Sequence, residues 1–383
     1  MKKNISKEAL KLHKKLRGKI EIISKLKIKN KEDLSLIYTP GVADVSTYLA
    51  NNKKETNNFT ARGNMVAVIS DGSAVLGLGN IGPEGALPVM EGKAAIFKSF
   101  ADVDAFPIVL STQNTEEIIQ AIKAIAPSFG AINLEDISAP RCFEIEERLK
   151  KELNIPIMHD DQHGTAMVVL AGLINALKVC NNKNIEKNKN IKIIVNGSGA
   201  AGIAITKMLL EYGFAEIIVI DSHGAIYEGR ENLNEEKIIL SKKTNKQKIK
   251  GELVDIIKGS DVFIGVSKGG VLNSEMIKSM NKKPIIFALA NPIPEIMPDI
   301  AKKAGAFIVA TGRSDFPNQL NNALGFPGIF RGALDHKVID ITDTMLVKAS
   351  IALAKLVKNP TIDKIIPSIF DKNVAIVVSK AIK

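Results

Sequence analysis

The chain has 383 residues, 45% of them hydrophobic, enough to bury two sizeable cores, and this length favours two or three domains. No apolar run reaches the roughly 18 to 20 residues of a membrane span, and the N-terminal MKKNISKEALKLHKKLRGK carries charge where a secretory leader needs an apolar centre. The net charge of +11 raises nucleic acid as a partner, but the basic residues gather in the first 31 positions and in NNKNIEKNKNIK and SKKTNKQKIK, with no interleaved aromatics. That pattern describes solvated helix faces and loops, so no nucleic-acid partner is expected, and the charge suits attraction of an anionic small molecule. Only Cys142 and Cys180 are present, without a CxxC pair, which fits a reducing, cytoplasmic compartment.

In chain order, Leu10, Leu12, Leu16, Ile20 and Ile23 recur at helical spacing among lysines, predicting one or two basic amphipathic helices packed on the body. DLSLIYTPGVA follows, where the Pro40-Gly41 turn leaves Tyr38 at the mouth of a loop. A strand from Met65 is expected to turn at Asp71-Gly72 and continue as a second strand. Gly77-Leu-Gly79-Asn-Ile-Gly82 spells GxGxxG, yet prolines follow it and no second strand closes on an acid, so it reads as a glycine-rich crossover. A helix predicted to start after Pro88 carries Lys93 among small and apolar neighbours, where burial would favour the neutral amine.

Strands are predicted over 106–110, 131–134 and 155–158, with helices over 115–125 and 140–153 between them. The second of these strands ends on Glu135-Asp136, and the third on His159-Asp160-Asp161. Acids at the carboxyl ends of neighbouring parallel strands share the crevice where α/β sites form, and they repel one another unless a cation sits between them. An all-oxygen set selects Mg²⁺ or Mn²⁺, while His159 and His163 leave a zinc alternative open. Gly164-Thr165 then opens a long apolar helix, 166–179, expected to begin a second domain.

The run KIIVNGSGAAGIAITKMLLEYGFAEIIVID, from Lys192 to Asp221, is a βαβ unit. Its Gly197-Ser198-Gly199-Ala200-Ala201-Gly202 turn gives a tight bend, a close backbone approach for a pyrophosphate and helix-to-strand packing. Asp221 would accept from ribose hydroxyls and repel a 2′-phosphate, and no Arg follows until Arg230 to clamp a phosphate, so NAD is expected, with His223 leaving NADP as an alternative. Strands over 260–266, 284–290 and 306–310 continue the sheet to Ser267, to Asn291 and to Thr311. An Asn321-Asn322 loop and closing helices from Ile341 complete the chain. The fold class is α/β: an N-terminal substrate and metal domain, 1–164, a doubly wound Rossmann domain, 165–345, and C-terminal helices, 346–383.

IYTPGVA, LGLGNIG, EGKAAIFKSFADVDAFP, NLEDISAPRCFEIE, HDDQHGTA, NGSGAAG, ALANPIPEI and FPNQLNNALGFPGIFRGALD stand in the order in which they occur in malic enzymes, and the chain resembles the short bacterial members of that family. The resemblance implies oxidative decarboxylation of L-malate to pyruvate and CO2. In it, Glu135, Asp136 and Asp161 would hold the divalent cation and Lys93, kept neutral, would take the C2 hydroxyl proton. Tyr38 would protonate C3, and Asp160 would orient its neighbours. Thr165, Ser267, Asn291 and Asn321 would join the glycine turn in binding cofactor, and Asn291 and Asn322 would touch substrate. Larger relatives grip the substrate carboxylate with an Arg where this chain has Ala74, so Ser73 and the asparagines are the expected substitutes. A homodimer is also implied. Two other readings compete: a metal-independent amino-acid-type dehydrogenase using Lys93, and a basic nucleotide-binding protein without catalysis.

Overall fold

The computed structural model describes residues 5–75, 77–180 and 191–383. Most of the basic stretch from 181 to 192 therefore lies outside the described residues. Two parallel sheets organise the rest. The first holds β1 (Met65–Ser70), β2 (Asp104–Val109), β3 (Ala131–Leu134) and β4 (Ile157–His159) in the order β2-β1-β3-β4. The second holds β5 (Ile193–Asn196), β6 (Ile217–Asp221), β7 (Gly224–Ala225), β8 (Val262–Gly265), β9 (Ile285–Ala288) and β10 (Ile308–Thr311) in the order β10-β9-β8-β5-β6-β7. Only β7 runs antiparallel. The order reverses between β5 and β8, the switch point at which α/β sheets open a ligand crevice.

Near-continuous apolar runs mark strands buried on both faces, and β1, β3, β5 and β9 are buried almost throughout. The predicted strand pair around Asp71-Gly72 does not form. Beyond Ser70 a single bridge joins Val75 to Gly79, and β1 pairs instead with β2 and β3, both far away in sequence. A hairpin would have left one edge of β1 to water, whereas the parallel partners cover both.

The helix carrying Lys93 runs from Gly82 to Ala101, so it begins before Pro88 rather than after it. Pro83 lies in the first turn, where no internal donor is missed, and Pro88 in the second turn removes one internal bond, that to the Glu84 carbonyl. Ala86, Met90, Lys93, Ala94 and Phe97 form its buried stripe, so the lysine occupies a position that helical period assigns to the core.

The Asp160–Val179 helix also starts earlier than expected, and HDDQHGTA forms its opening turns. Its apolar residues surround it on all sides, and it is buried from Ala166 to Leu177 between the two sheets. The expected 164/165 and 345/346 boundaries thus fall inside continuous helices, the second within Asp343–Lys355. One hydrophobic cluster joins Val66 and Ile132 of the first sheet to Val195 and Phe287 of the second. The amphipathic opening helix is present as Ile5–Leu16, but it is not packed into the body, and no described residue before Val66 is buried.

Candidate active site

Parallel β1, β3 and β4 bring their carboxyl ends to one edge, and each delivers acids there. Glu135 and Asp136 follow β3, Asp160 and Asp161 follow β4, and Asp71 follows β1. Asp136 adopts a left-handed backbone, with φ 54°, and its amide donates to Asp161 Oδ2 at 2.8 Å while its carbonyl accepts from Ala74 N at 2.9 Å. Three backbone segments are tied together by those two bonds. Carboxylate oxygens of Glu135, Asp136 and Asp161 lie within 4.8 Å of one another, a donor set that fits a hard divalent cation.

Lys93 reaches this cluster from its own helix. Its Nζ lies 2.9 Å from Glu135 Oε1, contacts Asp160 Oδ2 directly, and stands 4.3 Å above the Phe326 ring. Burial works against the ammonium, but Asp160 and Glu135 outweigh it and hold Lys93 above the ordinary lysine range. The neutral amine expected from burial is opposed by both of these carboxylates. Burial pushes Glu135 and Asp160 up, with Lys93 opposing. Four acids facing one lysine leave an excess of negative charge that a divalent cation would balance.

The zinc alternative finds no geometry. His163 is taken by Glu146, at 2.9 Å, and the buried His159 ring lies 3.5 Å from Asp161 Oδ2. Burial holds His159 below the usual histidine range. Glu146 also accepts from His159 N at 3.1 Å and Gln162 Nε2 at 3.0 Å, which pins the segment presenting Asp160 and Asp161. Sequence reading passed over Glu146 because a glutamate on a charged helix carries no local signal of burial.

At the second sheet, Gly197 has φ +122°, and a Cβ there would crowd the Val266 carbonyl. A Cβ on Gly202 would collide with the Gly197 carbonyl, whereas Gly199 faces open space where a phosphate can approach. Ser198, Ala200 and Ala201 stand half-buried around the start of the Ala200–Tyr212 helix. Ser267 accepts from Asn196 Nδ2 at 2.8 Å, and its amide donates to the buried Glu295. Thr165 is half-buried one turn into the Asp160–Val179 helix.

Asp221 does not present a free carboxylate. Arg230 pairs with both its oxygens, at 2.5 and 2.9 Å, and Lys237 adds a third contact at 2.8 Å. Burial opposes the charge, but these donors hold Asp221 well below the usual carboxylate range. Arg230, nine residues away in sequence, is brought back by the β6–β7 turn.

Asn322 packs beside Gly164 and hence beside Asp160, while Asn321 caps its own short helix through Ala323 N at 2.8 Å. Asn291 is exposed beside Gly312. Tyr38 is not brought to the cluster: it is 66% exposed at the end of a short helix, and no hydrogen bond or ring contact joins it to Lys93. Ser73 is fully occupied, donating to Asp71 Oδ1 at 2.5 Å and accepting from Ser138 N at 2.9 Å and Arg141 Nη2 at 3.0 Å.

A glycine turn at the switch point of one parallel sheet, and a lysine clamped by acids at the carboxyl ends of another, define a two-domain dinucleotide-dependent dehydrogenase. The malic enzyme N-terminal domain model matches residues 17–150, and the malic enzyme NAD-binding domain model matches residues 162–382. The chain belongs to the malic enzyme family. It is 55% identical to the bifunctional malic/malolactic enzyme of Bacillus subtilis, over 99% of this chain and 92% of that one. It is 53% identical to the NAD-dependent malic enzyme of Geobacillus stearothermophilus, over 99% and 78% of the two chains. The crystal structure of a Thermotoga maritima NAD-dependent malic enzyme superposes with a TM-score of 0.93 at 52% identity, covering 98% of both chains.

Proposed function

We propose that this protein oxidises L-malate with NAD and decarboxylates the product to pyruvate and CO2, with a divalent cation required. The observation that carries the reading is Lys93, buried and held by Glu135 and Asp160 at the rim of the carboxylate trio. Within the family that arrangement suits a base that must meet a secondary alcohol beside a cation.

Glu135, Asp136 and Asp161 would hold Mg²⁺ or Mn²⁺, which would supply Lewis acidity at the C2 oxygen and draw Glu135 away from Lys93. NAD, on the Gly197–Gly202 turn, would supply the hydride acceptor. With Glu135 drawn to the cation, Lys93 as the neutral amine would take the C2 hydroxyl proton as hydride leaves C2 for NAD, giving oxaloacetate. Asp160 keeps Nζ in place through both steps, and Phe326 closes one side of the amine to water. Loss of C4 as CO2 leaves the enolate of pyruvate, and Tyr38 protonates its C3. Asn291 and Asn322 flank the substrate, and Thr165, Ser267 and Asn321 the cofactor.

Tyr38 stands on an arm with no buried residue. Leu10, Leu12, Leu16, Ile22, Leu26 and Leu36 are exposed along it, an apolar extent that marks an interaction surface. A second copy of the chain covers that arm in this reading, giving a homodimer and seating the tyrosine. The two unpaired cysteines and the lack of any helix long and apolar enough to cross a membrane, among the described residues, support a cytoplasmic enzyme.

The test is NADH formation from L-malate, NAD and Mn²⁺, repeated with EDTA and with Lys93→Ala, with pyruvate measured as product. Activity that needs the metal and the lysine supports the proposal. Activity that persists in EDTA, or no turnover with NAD or NADP, removes it and favours a metal-independent dehydrogenase or a non-catalytic binder.

A further inference from the structure

Malate is a dianion, and beside the proposed divalent cation on Glu135, Asp136 and Asp161, the cationic side chain at this cluster is Lys93, itself paired with Glu135 and Asp160. A substrate carboxylate needs a further cationic donor there. Ala74 offers none, and Ser73 has its single donor on Asp71 and both acceptor positions filled. We propose that Arg141 is that donor and binds the C1 carboxylate of malate, an inference that rests on the malate reading of this site.

Arg141 opens the Arg141–Glu152 helix, five residues after Asp136. From there its guanidinium returns over the end of β1, where Nη2 donates to Asp71 Oδ2 at 2.8 Å and to Ser73 Oγ at 3.0 Å. The residue after Ser73 is Ala74, whose amide is bonded to Asp136 O, so the guanidinium lies one short loop from a member of the carboxylate trio. Asp71 is fully buried and Ser73 nearly so, which makes the contact a built one rather than a surface encounter. Nη2 is spent in this grip. Nη1 has no acceptor among the described residues, and the side chain remains 29% exposed, so N–H groups are left for a ligand. The buried Asp71 therefore fixes the guanidinium in position without consuming it.

The C1 carboxylate is the partner, not C4. C4 departs as neutral CO2, and a guanidinium paired with it would stabilise the carboxylate that must be lost. C1 survives in pyruvate, so a grip on it is kept along the whole reaction.

Arg141→Gln, Arg141→Lys and the double variant Asp71→Asn/Arg141→Gln separate this from a purely structural pairing with Asp71. Steady-state kinetics with Mn²⁺ are read together with melting temperature and with inhibition by oxalate, which presents adjacent carboxylates and needs no turnover. Arg141→Gln should raise KM for malate and Ki for oxalate together, by about ten- to a hundredfold, the size expected for a lost charge-assisted contact. KM for NAD should stay within twofold, and Arg141→Lys should recover part of the loss. In the double variant the neutral pair should restore melting temperature but not KM or Ki. Unchanged KM and Ki in Arg141→Gln, or their return with stability in the double variant, overturns the proposal. If the unmodified enzyme binds oxalate yet does not oxidise malate, the malate reading falls, and this inference with it.

Discussion

Lys93 and Tyr38 are the two residues assigned to proton transfer, and the structure treats them in opposite ways. Lys93 sits on the buried stripe of its helix, contacts acids from β3 and β4, and rests on an aromatic ring from a third element. Tyr38 sits on an arm where nothing is buried. A group that must start in a defined protonation state needs neighbours fixed before substrate arrives, and only the sheet edge supplies them within one chain. A group that acts on a late intermediate can be delivered by an element seated through association.

That contrast is broken most directly at Lys93. Lys93→Ala is expected to lower kcat by about 10³-fold or more, within the range of acid–base catalysis, while NAD binding measured by fluorescence is unchanged. Next comes Asp161→Asn, which removes the charge of one member of the trio and leaves a weaker, neutral acceptor for the Asp136 amide. Mn²⁺ affinity, read by titration of activity and by calorimetry, should weaken by about a hundredfold. On the Tyr38 side, Tyr38→Phe should slow pyruvate formation by about ten- to a hundredfold while leaving single-turnover NADH formation and CO2 release, so the products separate. Equal losses of all three would place the tyrosine in the first step instead.

A smaller effect is expected from Gly164→Ala. A Cβ there would collide with the Asp160 carboxylate, displacing the acid that positions Lys93, and overpacking of this kind costs about 1–3 kcal/mol, visible as a lower melting temperature. The smallest is a pH effect. Burial raises the Glu146 carboxyl, but His163 and Lys150 overcome it and hold the folded-state group below its ordinary value of 4.5. A depressed pKa contributes stability that is fully present above that value and is lost as pH falls through the folded value. Melting temperature should therefore be flat from neutral pH down to about pH 5 and fall below that. Glu146→Gln should start lower and lose less on acidification.

The Asp221 cluster extends the comparison to cofactor choice. With Arg230 and Lys237 on the Asp221 carboxylate, the proposed ribose site would carry cations beside the acid. Asp221→Asn should relax them and move the ratio of kcat/KM toward NADP, an outcome the free carboxylate expected from sequence would not produce as strongly.

Much of the fold could be read locally. Short apolar runs predicted the strands from 131 to 134 and from 193 into the Gly197 turn because a strand buried on both faces is a short apolar run between turn signals. The acids at the ends of β3 and β4 were visible for the same reason, since a strand that stops on a polar pair aims it at the crevice. The errors came where a distant partner outweighed local chemistry. Asp71-Gly72 spells a hairpin, but β1 gains more from β2 and β3. Pro88 spells a helix start, but the buried stripe from Ala86 to Phe97 carries the helix through it.

The amino-acid order by itself determined the two sheets, the glycine turn, the carboxylate trio and the family. Tertiary structure alone decided what each polar group is paired with. Lys93 is paired because Asp160 lies 67 residues away in sequence but in contact in space, and Ser73 is saturated because Arg141 folds back from the helix after β3. Asp221 is shared because Arg230 returns across a turn. Hydrophobic period is a property of neighbours along the chain, whereas the field at a titratable atom is a sum over neighbours in space.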